Sequence, residues 1–113
     1  MKKIMLIDDN FEILERLSAV LQKNFDVIEA TGVQEAIKLL ETVIVDAICS
    51  DFNMRDGTGL DILKQLRQQN IKNPFMLMSA SDDRYLANKA QRWGASFCCK
   101  TDYNLIAKIR GIT

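Results

Sequence analysis

Ile4-Met5-Leu6-Ile7-Asp8-Asp9 (residues 4–9) sets four consecutive apolar side chains directly before two carboxylates. A strand with one wet face alternates apolar and polar residues. A short unbroken apolar run reads instead as a strand buried on both faces. Such strands belong to parallel sheets covered by helices on either side.

The same form recurs along the chain. Phe25 to Ile28 is a second short run. Val43 to Cys49 is a third, β-branched, ending at Ser50-Asp51. Pro74 opens a fourth at Phe75 to Met78, and Ser96 to Cys99 is a fifth. Helical stripes lie between them. Leu14, Leu17 and Leu21 share a face of Phe11 to Lys23, with Asn24 as a stop. Val33, Ile37 and Leu40 mark a short helix behind Thr31 and Gln34, which have capping-box spacing. Residues 53–59 are a loop by turn chemistry, and Leu60, Leu63 and Leu66 carry a helix to about Gln69. Ser81 is placed to cap the next helix, with Asp82 and Asp83 in its first turn. Leu86, Ala90 and Trp93 continue it, and Gly94 ends it. Thr101-Asp102 can cap a last helix carrying Leu105, Ile106 and Ile109. The order is βαβαβαβαβα, which predicts an α/β fold with a parallel sheet and helices on both faces.

Length and composition agree. The 113 residues fit one domain, 1–113, with no repeat, linker or low-complexity segment. Fifteen basic residues balance fifteen acidic ones, which offers no electrostatic reason to bind nucleic acid or an anionic membrane. The first apolar stretch ends at Asp8, too soon for a signal-peptide core, and no run approaches a membrane span, so a cytoplasmic location is expected. Cys49, Cys98 and Cys99 sit in apolar runs and read as small buried hydrophobes in a reducing compartment. With no histidine and no metal-type cysteine spacing, a zinc site is not expected. Trp93 reads as core; for Tyr85 a solvent-facing place on a partner surface is the lesser of the readings left open.

In an open parallel sheet, ligands bind beyond the carboxyl ends of the strands. The first strand delivers Asp8-Asp9 there, the third Asp51, the fourth Ser79 and the fifth Lys100. Crowded carboxylates repel one another unless a cation joins them. A hard divalent ion with oxygen ligands fits, and magnesium is usual beside phosphate. Lys100 adds a fixed positive charge, and Ser79 a hydroxyl that can donate to a phosphoryl oxygen. No Ser-His pair and no glycine-rich phosphate loop is present, which leaves a carboxylate as the nucleophile. Each residue also has a plain reading: an acidic pair can be a solvated helix start, Asp51 and Ser79 caps, Lys100 a surface lysine, Phe97 core.

These pieces together resemble the receiver domain of two-component response regulators. The resemblance runs from Lys2 to about Arg110. It rests on Asp8-Asp9, on Asp51-Phe52-Asn53-Met54 with Gly59, on Met78-Ser79-Ala80, on Gly94-Ala95, and on Phe97-Cys98-Cys99-Lys100. It implies a doubly wound, flavodoxin-like (βα)5 fold of strand order 2-1-3-4-5. It implies Asp51 as phosphoacceptor and a Mg2+ held by the Asp9 and Asp51 carboxylates, by the Asn53 backbone carbonyl, and by Asp8 through water. Lys100 would pair with the acceptor and then the phosphoryl group. Ser79 and Phe97 would be the switch pair, and Asn53 and Ser81 would influence the phosphoryl lifetime. A sensor histidine kinase or phosphotransfer protein would be the donor. A downstream effector, or an output domain outside this chain, would read the face of the fourth helix, fifth strand and fifth helix. Such a domain is a regulatory phosphoacceptor rather than an enzyme, catalysing only its own aspartyl phosphorylation and dephosphorylation.

The chain departs from the family pattern twice. Thr101 follows Lys100 where proline is common, so a trans bond is expected there. Arg55 also stands where proline is frequent. Two other readings remain open: a degenerate receiver working as a phosphorylation-independent interaction module, and an aspartate-nucleophile phosphatase of the haloacid dehalogenase type. Asp56-Gly57-Thr58 is similar to part of the latter's motif, but Met54 occupies the place of its first aspartate.

Overall fold

The computed structural model describes all 113 residues, Met1–Thr113. Five parallel strands form one sheet: β1 (Lys3–Ile7), β2 (Asp26–Ala30), β3 (Ala47–Asp51), β4 (Phe75–Ser79) and β5 (Ser96–Cys99). Their spatial order is β2-β1-β3-β4-β5, the doubly wound order 2-1-3-4-5. Helices α1 (Phe11–Leu21), α2 (Val33–Leu40), α3 (Gly59–Gln68), α4 (Arg84–Arg92) and α5 (Leu105–Gly111) connect or follow them.

Side chains of a strand point alternately to its two faces. Ile4 and Leu6 therefore join Leu14, Leu17 and Leu21 of α1 and Leu105 and Ile109 of α5 in one core. Met5 and Ile7 join a second core with Val33 of α2, Leu60 and Leu63 of α3 and Leu86 of α4. Both faces are covered, which is why the run Ile4–Ile7 carries no polar residue. Trp93 packs against the second core, as its helical stripe predicts. Tyr85 lies exposed with the Lys89 ammonium over its ring.

Several boundaries move, each for a local reason. Phe25 is not in β2: its N–H donates to Leu21 O at 2.9 Å and closes the end of α1. The strand after the third apolar run begins only at Ala47. Val43 N–H is tied back to Leu39 O at 2.8 Å, and Ile44 is 90% exposed. Asp46 ends the turn by accepting from Lys3 N–H with its carboxylate at 2.7 Å. The Thr31–Gln34 capping box does not form. Thr31 N–H instead bonds the Glu35 carboxylate, and Gly32 stands at the N-cap of α2. The cap of α4 is Asp83, not Ser81, accepting from Leu86 N–H. The last helix starts behind Asn104, three residues after Thr101 and two after Asp102, because Asp102 accepts from Asn104 N–H in a preceding turn. The 53–59 loop contains a short antiparallel hairpin, Asn53–Met54 against Gly57–Thr58. Gly94 has φ +71°, the left-handed conformation that ends α4. Every peptide bond is trans, Lys100–Thr101 included.

At the amino-terminal edge of the sheet, the Arg67 guanidinium donates to the carbonyls of Trp93, Ile71, Asn73 and Gly94 at 2.8–3.3 Å. This knits α3 to the end of α4 and leaves the opposite edge to the charged groups.

Candidate functional site

The carboxyl ends of β1, β3, β4 and β5 meet at one edge. At β1 the ladder continues one residue further, with Asp8 N–H donating to Ala30 O at 3.1 Å, and this carries Asp8 to 1% exposure. Its Oδ1 accepts from Asn10 N–H at 2.9 Å. Asn10 in turn caps α1 through Glu12 and Ile13 N–H. The cap of the first helix thus orients the first carboxylate. Asp8 Oδ2 is shielded from water, and its partner is the Lys100 ammonium, which donates to it across 2.7 Å.

Asp51 ends β3 at 7% exposure, and its Oδ1 lies 3.0 Å from the same ammonium. Lys100 therefore bridges two carboxylates, one more than the resemblance assigns it. Its placement follows from the sheet: Lys100 N–H donates to Ser79 O at 2.7 Å, extending the pairing of β4 with β5. Thr101 has not displaced it. Asp9 is half-buried, and its Oδ2 accepts from Arg55 N–H at 2.9 Å. Ligand oxygens of Asp8, Asp9 and Asp51 lie within 4.8 Å of one another.

Burial pushes the Asp51 carboxyl above its ordinary range, and the neighbouring Asp8 charge adds to this against the pull of Lys100. For Lys100, burial alone acts to lower its pKa, but its bonds to Asp8 and Asp51 outweigh that and hold the ammonium above its ordinary value. Three carboxylates against one ammonium leave a negative surplus in a partly desolvated pocket. The donor set is all oxygen, with no histidine or thiolate in it. A hard divalent cation such as Mg2+ fits such a set.

Ser79 stands half-buried at the rim, with its Oγ accepting from Ser81 N–H at 3.4 Å. Asn53 and Ser81 are exposed beside it in sequence and strand order. Phe97 is half-buried against the core that contains α2, α3 and α4. Cys49 and Cys98 are buried and free, and burial pushes the Cys49 thiol far up, so it is inert. Cys99 departs from the buried reading: it is half-buried, with Sγ 3.1 Å from Thr101 Oγ1.

Sequence reasoning missed three contributions: the Lys100–Asp8 pair, the Arg55 N–H on Asp9, and the close approach of Gly59. A Cβ on Gly59 would lie 2.4 Å from Asp51 O and 2.8 Å from Ser50 Oγ. Only a glycine lets α3 start this near the end of β3. The glycine after the acceptor segment was visible as a motif residue, but its reason is a tertiary contact.

Residues 4–104 match the family model of the response regulator receiver domain. The chain is 35% identical to the Bacillus subtilis alkaline phosphatase synthesis transcriptional regulatory protein PhoP over 74% of its own length and 35% of that protein's. It is 32% identical to the Escherichia coli transcriptional regulatory protein CpxR over 99% of its length and 49% of that protein's. It therefore spans half or less of these relatives. Among solved structures, the Francisella response regulator 1452 receiver domain superposes with a TM-score of 0.90 at 27% identity, covering 99% of this chain and 96% of that one. Thermotoga maritima TrrA, solved in complex with Mg2+ and a beryllium fluoride, superposes with a TM-score of 0.87 at 23% identity over the whole of both chains.

Proposed function

The chain belongs to the response regulator receiver domains, and from that premise we propose that Asp51 is its phosphoacceptor and that Asp8, Asp9, Asp51 and the Asn53 carbonyl hold a Mg2+ beside it. The family serves phosphoacceptor signalling in two-component systems, as a regulatory domain rather than an enzyme. The observation that carries the assignment is the convergence of Asp8, Asp9 and Asp51 within 4.8 Å with Lys100 bridging two of them.

A divalent cation held there would supply charge neutralisation for phosphoryl oxygens. The chain's own residues do the rest. An Asp51 carboxylate oxygen attacks phosphorus in line, an O–P bond forms, and the bond from phosphorus to the donor's leaving atom breaks with its electron pair on the donor. Lys100 positions the acceptor carboxylate and then neutralises part of the charge of the acyl phosphate. Asp8 holds Lys100 in place and would help to hold the cation. The Ser79 hydroxyl donates to a phosphoryl oxygen, and Phe97 follows it inward. Asn53 and Ser81, exposed at the rim, influence the lifetime of the phosphoryl group.

The donor is a sensor histidine kinase or a phosphotransfer protein. The change shifts a pre-existing equilibrium at the face of α4, β5 and α5, where an effector or an output domain reads it. No helix is long and apolar enough to cross a membrane, and the reading places the domain in the cytoplasm, without direct contact to nucleic acid. The phosphatase alternative gains no support, because the Asp56 carboxylate is bonded to Val33 and Gln34 N–H and not turned to Asp51. The test is intact mass after incubation with Mg2+ and acetyl phosphate. A phosphate-sized, Mg2+-dependent adduct on the wild type and none on Asp51→Asn is expected. An adduct on neither, with Mg2+ shown to bind, would overturn the assignment in favour of a phosphorylation-independent interaction module.

A further inference from the structure

The Asn53–Thr58 hairpin buries Met54 in the core, and its tip residues Arg55 and Asp56 make two polar contacts in opposite directions. Arg55 N–H donates to Asp9 Oδ2. The next residue turns its side chain the other way. Asp56 Oδ1 accepts from Val33 N–H at 2.9 Å and Oδ2 from Gln34 N–H at 3.0 Å. These are the first N–H groups of α2, which no helical carbonyl can serve. The helix has no cap of its own, since Gly32 lacks a side chain. A carboxylate there also meets the positive end of the helix dipole, and burial-free as it is, Asp56 is held below the ordinary carboxylate range by the Gln34 and Val33 N–H groups. Gly32 fits the arrangement: a Cβ on it would come within 3.0 Å of Asp56 Oδ1. Gly57, with φ +145°, then turns the chain back to pair with Asn53–Met54.

We propose that Asp56 is a positioning residue for the cation-binding group: by clamping the hairpin to the start of α2, it holds Arg55 N–H against Asp9 and steadies the strand that carries the Asn53 carbonyl. The inference rests on the reading of Asp8, Asp9, Asp51 and Asn53 as the Mg2+ group. Asp56 acts through Arg55 and Asn53, because its own carboxylate faces α2. A residue that merely capped α2 would change stability and leave the Asp9 contact alone.

The test uses Asp56→Ala and Asp56→Asn, the latter keeping one acceptor oxygen. Glu35→Ala serves as control, since Glu35 braces the same helix start with its hydrogen bonds going to Thr31 and none to the hairpin. Two quantities are read: hydrogen exchange of the Arg55 amide in metal-free protein, and the Mg2+ dissociation constant. In Asp56→Ala both are expected to rise about fivefold, the scale of a lost cap. Asp56→Asn should fall between, and Glu35→Ala should leave both unchanged. Arg55 exchange at the wild-type rate in Asp56→Ala overturns the clamp. Equal effects from Glu35→Ala do so too, and so does faster exchange with unaltered affinity in a protein that binds Mg2+. Should the wild type bind no Mg2+ while Arg55 exchange responds to Asp56→Ala and not to Glu35→Ala, the clamp on Asp9 holds and the Mg2+ reading fails.

Discussion

Replacing Lys100 by methionine removes the one ammonium that serves both Asp8 and Asp51. The three side chains are 14%, 1% and 10% exposed, so little water reaches the pair. Asp8 Oδ2 would be left with no partner, and two carboxylates would face each other without a cation between them. Removing one member of a buried ion pair costs about 3–5 kcal/mol, and the partly open rim places Lys100→Met at the lower end, about 3 kcal/mol. At roughly 4 °C per kcal/mol for a domain of this size, the midpoint of thermal unfolding should drop by about 12 °C in metal-free buffer. The assay is circular dichroism melting with and without Mg2+. Asp8→Asn added to Lys100→Met should recover a good part of the loss, because it neutralises the stranded carboxylate. Mg2+ should stabilise Lys100→Met more than the wild type, because it replaces the missing charge. The Lys100 pKa is raised in the fold, so its contribution is fully present below its ordinary 10.5 and is lost as pH rises through the higher folded value. The gap between wild type and Lys100→Met should therefore persist through neutral and mildly alkaline pH. A midpoint within about 3 °C of the wild type, or no recovery from Asp8→Asn, would refute the argument that Lys100 compensates the acidic group.

Gly59→Ala drives a Cβ into Asp51 O, a backbone atom that cannot step aside; it should destabilise by about 1–3 kcal/mol in denaturant titration. Gly111→Ala, with nothing within 4 Å, should be neutral or stabilising by up to about 1 kcal/mol. Asp51→Asn should melt higher than the wild type at pH 7 without metal. The raised Asp51 pKa means that its ionised form costs the fold stability above the ordinary 3.8, and the difference should close as pH falls below that value.

The two-sided strands were legible because burial on both faces forbids polar residues, and Ile4–Ile7 or Phe75–Met78 advertise that locally. Helix stripes such as Leu14, Leu17 and Leu21 were legible for the same reason. The residues at the strand ends were legible because a parallel sheet sends every carboxyl end to one edge, so Asp8, Asp9, Asp51, Ser79 and Lys100 had to assemble there once the strand pattern was known. Local competition hid the finer boundaries. Val43 to Val45 looks like strand by side chain, yet Val43 N–H is claimed by Leu39 O at the end of α2 and Val45 O by the Asn73 side-chain amide. Hydrogen-bond partners distant in the chain were not encoded by any spacing. Lys100 meets Asp8 across the chain, Arg55 N–H meets Asp9, and Asp56 caps a helix that begins at Val33. The sequence by itself therefore determined which side chains line the edge and which faces bury. Only the tertiary structure decided which carboxylate each donor serves, because a hydrogen bond or an ion pair depends on ångström-scale placement that hydrophobic patterning does not specify.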